Sequence, residues 1–331
     1  MIKTKHLFLV SLLLLSFPLT ALADLRTYVM EKAQELNTPF TDIGKSHPNY
    51  QSIAVMYDDG VIKGYPDGTF QPDRAVNRAE MMKMLVLSYS SNPPGSLDSI
   101  VNGTTVDPLE ESVLNDSKYT NCFSDVKDEW FAHYVCYAKE QGWIQGYPDG
   151  SYKPAQNVNR VEAIKMALNT LIKDSEWPTP TETEKSYPMP SDADMNQWYA
   201  PYLHFAIAKE LIDGNHVTQS ADGSYFYGPA DSMTRKEVAE MFLRINLYSV
   251  ERPYYAEVYA GMQCFKKENI DLGEEGAYQA WLDKLDASNA ESANGLTITQ
   301  EEIDNLYLRY SEDDVVAQAV EVYAQDTCEG L

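Results

Sequence analysis

Basic residues are scarce in this chain of 331 residues, where 26 Lys and Arg stand against 50 Asp and Glu and the net charge is −24. Because nucleic-acid binding depends on basic groups that meet phosphates, this balance argues against a nucleic-acid partner. Cysteine is also scarce, and four residues are too few for a scaffold built from disulfides. The five histidines do not cluster with the cysteines, and no CxxC pair occurs. We therefore expect neither a metal site nor a cofactor.

Long apolar runs are missing from the chain after its first residues. Lys3 and Lys5 precede the apolar stretch Leu7–Leu15, and Ala21–Ala23 has the small-x-small pattern of a cleavage site. This pattern predicts a signal peptide over residues 1–23. The mature chain is then exported from Asp24 onwards with no transmembrane segment, since no later run approaches the length that a membrane span needs.

Export bears on the cysteines, because an even number in an oxidising compartment permits two disulfides. Four cysteines allow three pairings, and the sequence does not decide between them. Proximity in the chain favours Cys122–Cys136 and Cys264–Cys328, each within one region. Free thiols or a metal site are the alternatives.

A repeated motif organises the chain. The copies are 61–72 (VIKGYPDGTFQP) with 77–80, 143–154 (WIQGYPDGSYKP) with 159–162, and a looser third copy at 211–214, 222–225 and 234–237. The repeat glycine precedes the motif arginine by 14 positions in the first two copies and by 21 in the third. The third copy therefore carries a seven-residue insertion in its loop.

Each copy combines an apolar helix, a glycine exit, a turn and a second helix. Gly64, Gly146 and Gly214 are expected to end the first helices, where a residue that tolerates positive φ is needed. Pro-Asp-Gly is a turn signal. The second helices begin with a polar cap followed three residues later by Glu, which predicts capping boxes. These caps are Asn77, Asn159 and Thr234.

This triplet of helix–GYPDGTF–loop–(T/N)RAE–helix units resembles the S-layer homology (SLH) domain family over about residues 40–248. The resemblance implies an all-α fold in which three helix–loop–helix SLH repeats form a pseudo-threefold helical bundle. It also implies grooves between adjacent repeats that bind cell-wall polysaccharide non-covalently, including pyruvylated secondary wall polymer. The sequence beyond the repeats predicts a small acidic helical C-terminal unit.

The domain boundaries follow from the repeats and from two polar, proline-rich linkers. They are 1–23 signal peptide, 24–90 N-terminal helix and SLH repeat 1, 91–118 linker, 119–173 SLH repeat 2, 174–188 linker, 189–250 SLH repeat 3, and 251–331 helical C-terminal region of unknown function.

The arginine of each motif is the first candidate for a binding role. Arg78, Arg160 and Arg235 occupy the first turn of a helix, where a cation does not favour the helix dipole. A bidentate grip on a carboxylate, such as that of a pyruvyl ketal, would explain the placement. Free amides at the helix N-terminus would add donors. The alternative is a salt bridge that fixes the packing of the repeats.

Turn aspartates and aromatic residues complete the predicted ligand site. The aspartates are more readily explained as turn formers than as ligands. The aromatics either stack on sugar rings or pack in the core, and packing in the core is slightly favoured for the tryptophans. In the first repeat Pro48 replaces the tryptophan found 16 positions before the repeat glycine, which makes that groove doubtful. Besides the three arginines, the set is Tyr65, Asp67, Gly68, Trp130, Tyr147, Asp149, Gly150, Trp198, Asp222 and Gly223.

The leading hypothesis is a secreted, non-enzymatic anchoring protein of the cell wall or S-layer. Its partners would be cell-wall polysaccharide and other envelope proteins. A helical-repeat module that binds proteins is one alternative. An anchored enzyme with its active part in residues 251–331 is another, although we find no nucleophile–base pair, metal cluster or phosphate loop there.

Overall fold

The computed structural model describes residues 25–91, 117–172, 189–212, 218–219 and 224–249. The predicted signal peptide, most of both predicted linkers, Gly214, Asp222, Gly223, Cys264, Cys328 and residues 251–331 lie outside these ranges. The three repeats fall in one compact unit, Met30–Tyr248.

The described residues form seven α-helices, which confirms the all-α class. They are α1 (Leu25–Glu35), α2 (Tyr50–Asp58), α3 (Arg78–Ser91), α4 (Ala132–Glu140), α5 (Arg160–Leu171), α6 (Ala200–Ala208) and α7 (235–249). A 3-10 turn spans Ser117–Tyr119. Two short antiparallel strands, β1 (Thr218–Gln219) and β2 (Tyr225–Phe226), pair Thr218 with Phe226 and Gln219 with Tyr225.

Apolar faces of the paired helices build the core of this unit. α3 packs against α4 and α5, and α5 packs against α6. Fully buried aliphatic side chains such as Ile53, Leu85 and Ile164 come from the helical stripes seen in the sequence. Burying each such side chain contributes roughly 1.5–3 kcal/mol, so the repeats are stabilised mainly by this shared interior.

The first helix of each repeat ends earlier than the sequence indicated. α2 and α4 end at Asp58 and Glu140, and positive φ follows at Gly60 (72°) and Gly142 (77°). The expectation that Gly64 and Gly146 end the helices is therefore wrong.

Close packing explains the repeat glycines instead. A Cβ at Gly64 would lie 2.6 Å from the Phe40 ring and 2.9 Å from the carbonyl oxygen of Thr69. At Gly146 it would overlap the ring of Phe123 and lie 2.8 Å from the carbonyl oxygen of Ser151. The glycine thus lets the chain run against an aromatic ring.

Capping boxes begin the second helices of the first two repeats, as predicted. Asn77 and Asn159 accept hydrogen bonds from the Glu80 and Glu162 amides at 2.9 and 2.8 Å, and the glutamates accept in return from the asparagine amides. In the third repeat the Thr234 amide donates to Glu237 at 2.7 Å, but the Thr234 hydroxyl has no partner.

Backbone hydrogen bonds join the three repeats in a closed ring. The Val158 amide donates to Val76, the Met233 amide to Val158, and the Val76 amide to Met233, at 3.0, 2.9 and 2.9 Å. Each repeat thus bonds to both others through the strand-like residues before its second helix. Pseudo-threefold symmetry of the whole helical bundle stays a prediction, and these contacts are cyclic.

Cys122 and Cys136 lie in the second repeat at disulfide distance. Their sulfur atoms are 2.00 Å apart and their Cα atoms are 5.5 Å apart. The pair connects the loop before Phe123 with helix α4.

Candidate functional site

Two grooves between repeats carry the same three-residue arrangement. In the groove between repeats 1 and 2, the Lys83 ammonium of α3 lies 5.6 Å from the ring centre of Trp130 and 5.8 Å from that of Tyr134. Both rings belong to the second repeat. No described carboxylate lies within ion-pair distance of Lys83, and its charge lies beside these two aromatic rings.

The groove between repeats 2 and 3 repeats this geometry. Lys165 of α5 lies 5.1 Å from the Trp198 ring centre and 5.7 Å from that of Tyr202. We call each set of lysine, tryptophan and tyrosine a cradle: Lys83, Trp130 and Tyr134 form cradle 1, and Lys165, Trp198 and Tyr202 form cradle 2. The tryptophans are 57% and 51% exposed, so the interpretation that they pack in the core is wrong.

Electrostatics at cradle 1 favour an anion. Partial burial lowers the pKa of Lys83, and the nearby Lys63 ammonium lowers it further. The two ammonium groups repel each other, and an anion bound between them would lower the electrostatic energy of both.

A cavity of about 790 Å³ opens beside cradle 2. This volume is in the range of small-ligand sites. Charged side chains meet apolar and aromatic ones along its walls, which come from the α4 exit, α5, the start of α6 and the first turn of α3. The lining includes Arg78, Trp143, Tyr147, Glu162, Lys165, Met166, Asn169, Trp198 and Tyr202.

The three motif arginines reach across to a neighbouring repeat. Arg78 donates from Nε to the Tyr152 carbonyl at 2.9 Å, and Arg235 from Nε to the Phe70 carbonyl at 2.8 Å. Both are buried, and Arg78 alone of the three lines the cavity. Arg160 pairs with Glu237, with Nη2 and Oε1 2.8 Å apart.

Aromatic rings surround these guanidinium groups. Arg78 lies 5.0 Å from the Tyr147 ring centre, and Arg235 lies 5.0 Å from that of Tyr65. Burial lowers the pKa of Arg235 but leaves an arginine charged. The arginines thus pack the repeats together, while a ligand-binding role for them stays a prediction.

The helix N-terminal amides are not free, contrary to expectation. The Arg78 amide donates to the Gln156 carbonyl and the Ala79 amide to the Pro154 carbonyl, at 2.9 and 3.0 Å. Equivalent bonds run from Arg160 and Arg235 to the next repeat. Anion binding by these amides is therefore blocked by the packing of the repeats.

Turn formation occupies the motif aspartates. Asp67 accepts from the Thr69 amide at 2.9 Å and hydroxyl at 2.6 Å, and these bonds lower the pKa of Asp67. Asp149 makes the same bonds to Ser151. Gly68 and Gly150 follow with φ of 81° and 79°, as a turn glycine requires. None of these contacts tests the prediction that the aspartates and the glycines belong to a ligand site.

Sequence reasoning missed the lysines and tyrosines of the cradles. The signal was available: each lysine comes five residues after the motif arginine, and each tyrosine comes four after the tryptophan. The four-residue spacing from tryptophan to tyrosine is one that places side chains on the same face of a helix.

Other site classes find no support in the part of the chain that is described. There, no group of three or more His, Cys, Asp or Glu side chains is placed to hold a metal ion. None of the described helices combines the length and apolar character that crossing a bilayer requires.

Comparison with known proteins gives a family match in two segments. The S-layer homology domain family matches residues 39–82 and 123–164. Each segment runs from the phenylalanine before the first helix into the second helix of a repeat, and so includes one repeat glycine and one motif arginine.

Relatives among characterised proteins are similar over part of the chain. Cell surface glycoprotein 1 of Acetivibrio thermocellus is 29% identical over 134 residues, 40% of this chain and 5% of that protein. The cellulosome-anchoring protein of the same organism is 26% identical over 132 residues, which are 40% of this chain and 26% of that protein. The surface-layer 125 kDa protein of Lysinibacillus sphaericus is 23% identical over 195 residues, which are 59% of this chain and 14% of that protein. Some other relatives are enzymes by name.

The chain therefore covers about a quarter or less of the length of these three relatives. The repeated motif, the contacts between repeats and the family match all involve the same stretches of sequence. Residues 39–82 and 123–164 match the S-layer homology domain family.

Proposed function

We propose that this protein anchors to the cell wall by binding wall polysaccharide non-covalently in the grooves between its repeats. The observation that carries the proposal is the pair of cradles. Each presents a half-exposed tryptophan beside a lysine without a carboxylate partner among the described residues. Flat aromatic faces suit sugar rings, and the ammonium suits an acidic substituent.

The chemistry of the second groove favours an acidic glycan. Lys165 and Arg78 supply two cations to the cavity wall, against the single carboxylate of Glu162. Tyr147 and Asn169 add polar groups that can orient hydroxyls. A wall polymer that carries carboxylates, such as pyruvyl groups, meets these requirements. Local geometry acts here despite the net negative charge, because screening limits distant charges to about 8 Å at physiological salt.

The relatives support a location at the cell wall or cell surface and an anchoring role. Their names include a cellulosome-anchoring protein and a surface-layer protein. A catalytic role would have to come from residues 251–331, which lie outside the described ranges. No described contact favours the protein-binding alternative over the glycan.

Replacing both tryptophans tests the proposal. In Trp130→Ala/Trp198→Ala, we expect binding to purified cell wall to weaken about 30-fold or more, because a central aromatic contributes roughly 2 kcal/mol to binding. Co-sedimentation with wall fragments measures it, and circular dichroism checks that helicity is kept.

Phe226→Ala is the matched control. Phe226 is also an exposed aromatic residue, at 42%, but lies on β2 and lines neither cradle. Phe226→Ala should sediment with intact wall as the wild type does. Neither protein should sediment with wall that has been stripped of its polysaccharide. Equal sedimentation of the double variant and the wild type would contradict the proposal.

A further inference from the structure

We infer that the junction between repeats 3 and 1 is a closed clasp that takes no anionic ligand, so that one chain holds two acidic glycan segments and not three. This inference rests on the function proposed above. It concerns the third of three related junctions, formed by α7 and the start of α2.

The cradle residues are replaced at the third junction. Five positions after the motif arginine, where the other repeats have Lys83 and Lys165, α7 has Glu240. At the tryptophan position the first repeat has Pro48, and at the tyrosine position it has Ser52. The cation becomes an anion, and both aromatic faces are lost.

The contacts show that Glu240 is used inside the protein. It is 7% exposed, and its Oε1 accepts from Arg244 Nε at 2.8 Å while its Oε2 accepts from Asn49 Nδ2 at 3.4 Å. Asn49 precedes α2 and is itself buried. The two repeats are thus joined by a hydrogen bond at the place where cradles 1 and 2 are open.

Further contacts from the start of α7 reinforce the clasp. Lys236 forms an ion pair with Asp73 of the first repeat. Arg235 donates to the Phe70 and Lys63 carbonyls of the first repeat at 2.8 and 2.9 Å. These cations of the junction therefore already have partners within the chain.

Charge and burial both oppose a third ligand. An incoming carboxylate would meet Glu240 with like charge, and it would have to break hydrogen bonds that are already buried. At cradle 1 the same carboxylate would relieve the repulsion between Lys63 and Lys83. Two junctions therefore attract an acidic glycan, and the third excludes it.

The number of bound ligands tests the inference. The probe is a single repeating unit of wall polysaccharide, released chemically from purified wall and too short to bridge two grooves. Native mass spectrometry of the full secreted chain should show saturation at two units. Saturation at one or at three overturns the inference while leaving the proposed function standing. No bound unit at all contradicts the proposed function, and the inference falls with it.

Variants assign the two sites and test the clasp. Lys83→Ala and Lys165→Ala should each weaken one site at least tenfold and reduce the count to one, and the double variant should bind none. Glu240→Gln removes the like charge but restores neither the lysine nor the aromatic rings of a cradle, so its count should stay at two, with melting temperature as a check on folding. A count that changes in Glu240→Gln, or that stays at two in either lysine variant, overturns the inference.

Discussion

One backbone position in each repeat takes a left-handed conformation that costs energy unless it is glycine. It lies just after the buried aromatic of the turn, and φ is 58° at Gln71, 58° at Lys153 and 68° at Gly228. Only the third repeat has the residue type that adopts it freely.

We expect Gln71→Gly to stabilise the protein. The left-handed conformation costs a residue other than glycine about 1–2 kcal/mol. The greater conformational freedom of glycine in the unfolded chain offsets roughly half of the stability gained by removing that cost. The free energy of unfolding should therefore rise by about 0.5–1 kcal/mol, measured by urea denaturation.

Gly228→Ala is the reverse control for that position. A Cβ there would lie 2.8 Å from the Asp231 carboxyl carbon and 2.9 Å from Arg160 Nη1. It should destabilise the protein, and a gain in stability in this variant would contradict the conformational explanation.

At the same scale, the sequence predicted residue types better than residue environments. Trp130 and Trp198 were identified from their spacing, yet their exposure could not be deduced. An aromatic at helical spacing is more often buried, and only the tertiary arrangement shows which neighbour covers it. Here the tryptophans lie beside lysines at the groove surface.

At the scale of elements, an aspartate from the start of each repeat fastens the turn. Asp42 accepts from the Phe70 and Gln71 amides at 2.7 and 2.8 Å. Asp125 and Asp192 make the same pair of bonds in the second and third repeats. The turn is therefore held by a carboxylate from about 27 to 36 residues upstream.

Removing one of these carboxylates should destabilise its repeat. In Asp125→Ala the amides of Tyr152 and Lys153 lose a charged acceptor, and bonds of this kind contribute about 1.5–3 kcal/mol each. We expect the free energy of unfolding to fall by about 3 kcal/mol.

Asp128→Ala is a suitable comparison, because Asp128 is an exposed residue in the same loop. It should change stability by less than about 0.5 kcal/mol. Similar losses in the two variants would contradict a specific role for Asp125.

Element boundaries were partly predictable. The asparagine caps were found because the capping box is local and has its own residue spacing. The helix ends were not, because the glycine that ends a helix and the glycine that admits a ring are the same residue type. Gly64 and Gly146 owe their identity to Phe40 and Phe123, which lie more than 20 residues away in the chain.

At the scale of the whole Met30–Tyr248 unit, the junction of repeats 2 and 3 depends on ionised groups, because Arg160 pairs with Glu237. Burial by itself raises the pKa of Glu237, but hydrogen bonds from Thr234 and Arg160 outweigh it. The pKa of Glu237 therefore lies below the ordinary glutamate value of 4.5.

Acid should weaken this junction. A carboxyl with a lowered pKa contributes stability above its unfolded-state value, and that contribution is lost as the pH falls from 4.5 through the folded-state value. We expect the free energy of unfolding to decrease, as the pH falls below about 4.5, more steeply in the wild type than in Glu237→Gln. Urea denaturation at several pH values measures the two slopes, and equal slopes would contradict the assignment.

The all-α class was readable from the sequence, since apolar periodicity is a local property. The closing contact was not. Nothing in the motif at 234–237 indicates that its repeat returns to the first one, because the bonds are made between backbone groups of residues far apart.

The ring of backbone bonds also limits how such a protein can evolve. An open array gains or loses a copy at its end at little cost, because each copy contacts only its neighbours. Here Val76, Val158 and Met233 each donate once and accept once, so a fourth copy would have to break a closed circuit and remake it with different angles. Copy number is fixed by closure, and diversity in binding must therefore arise by substitution within the three junctions.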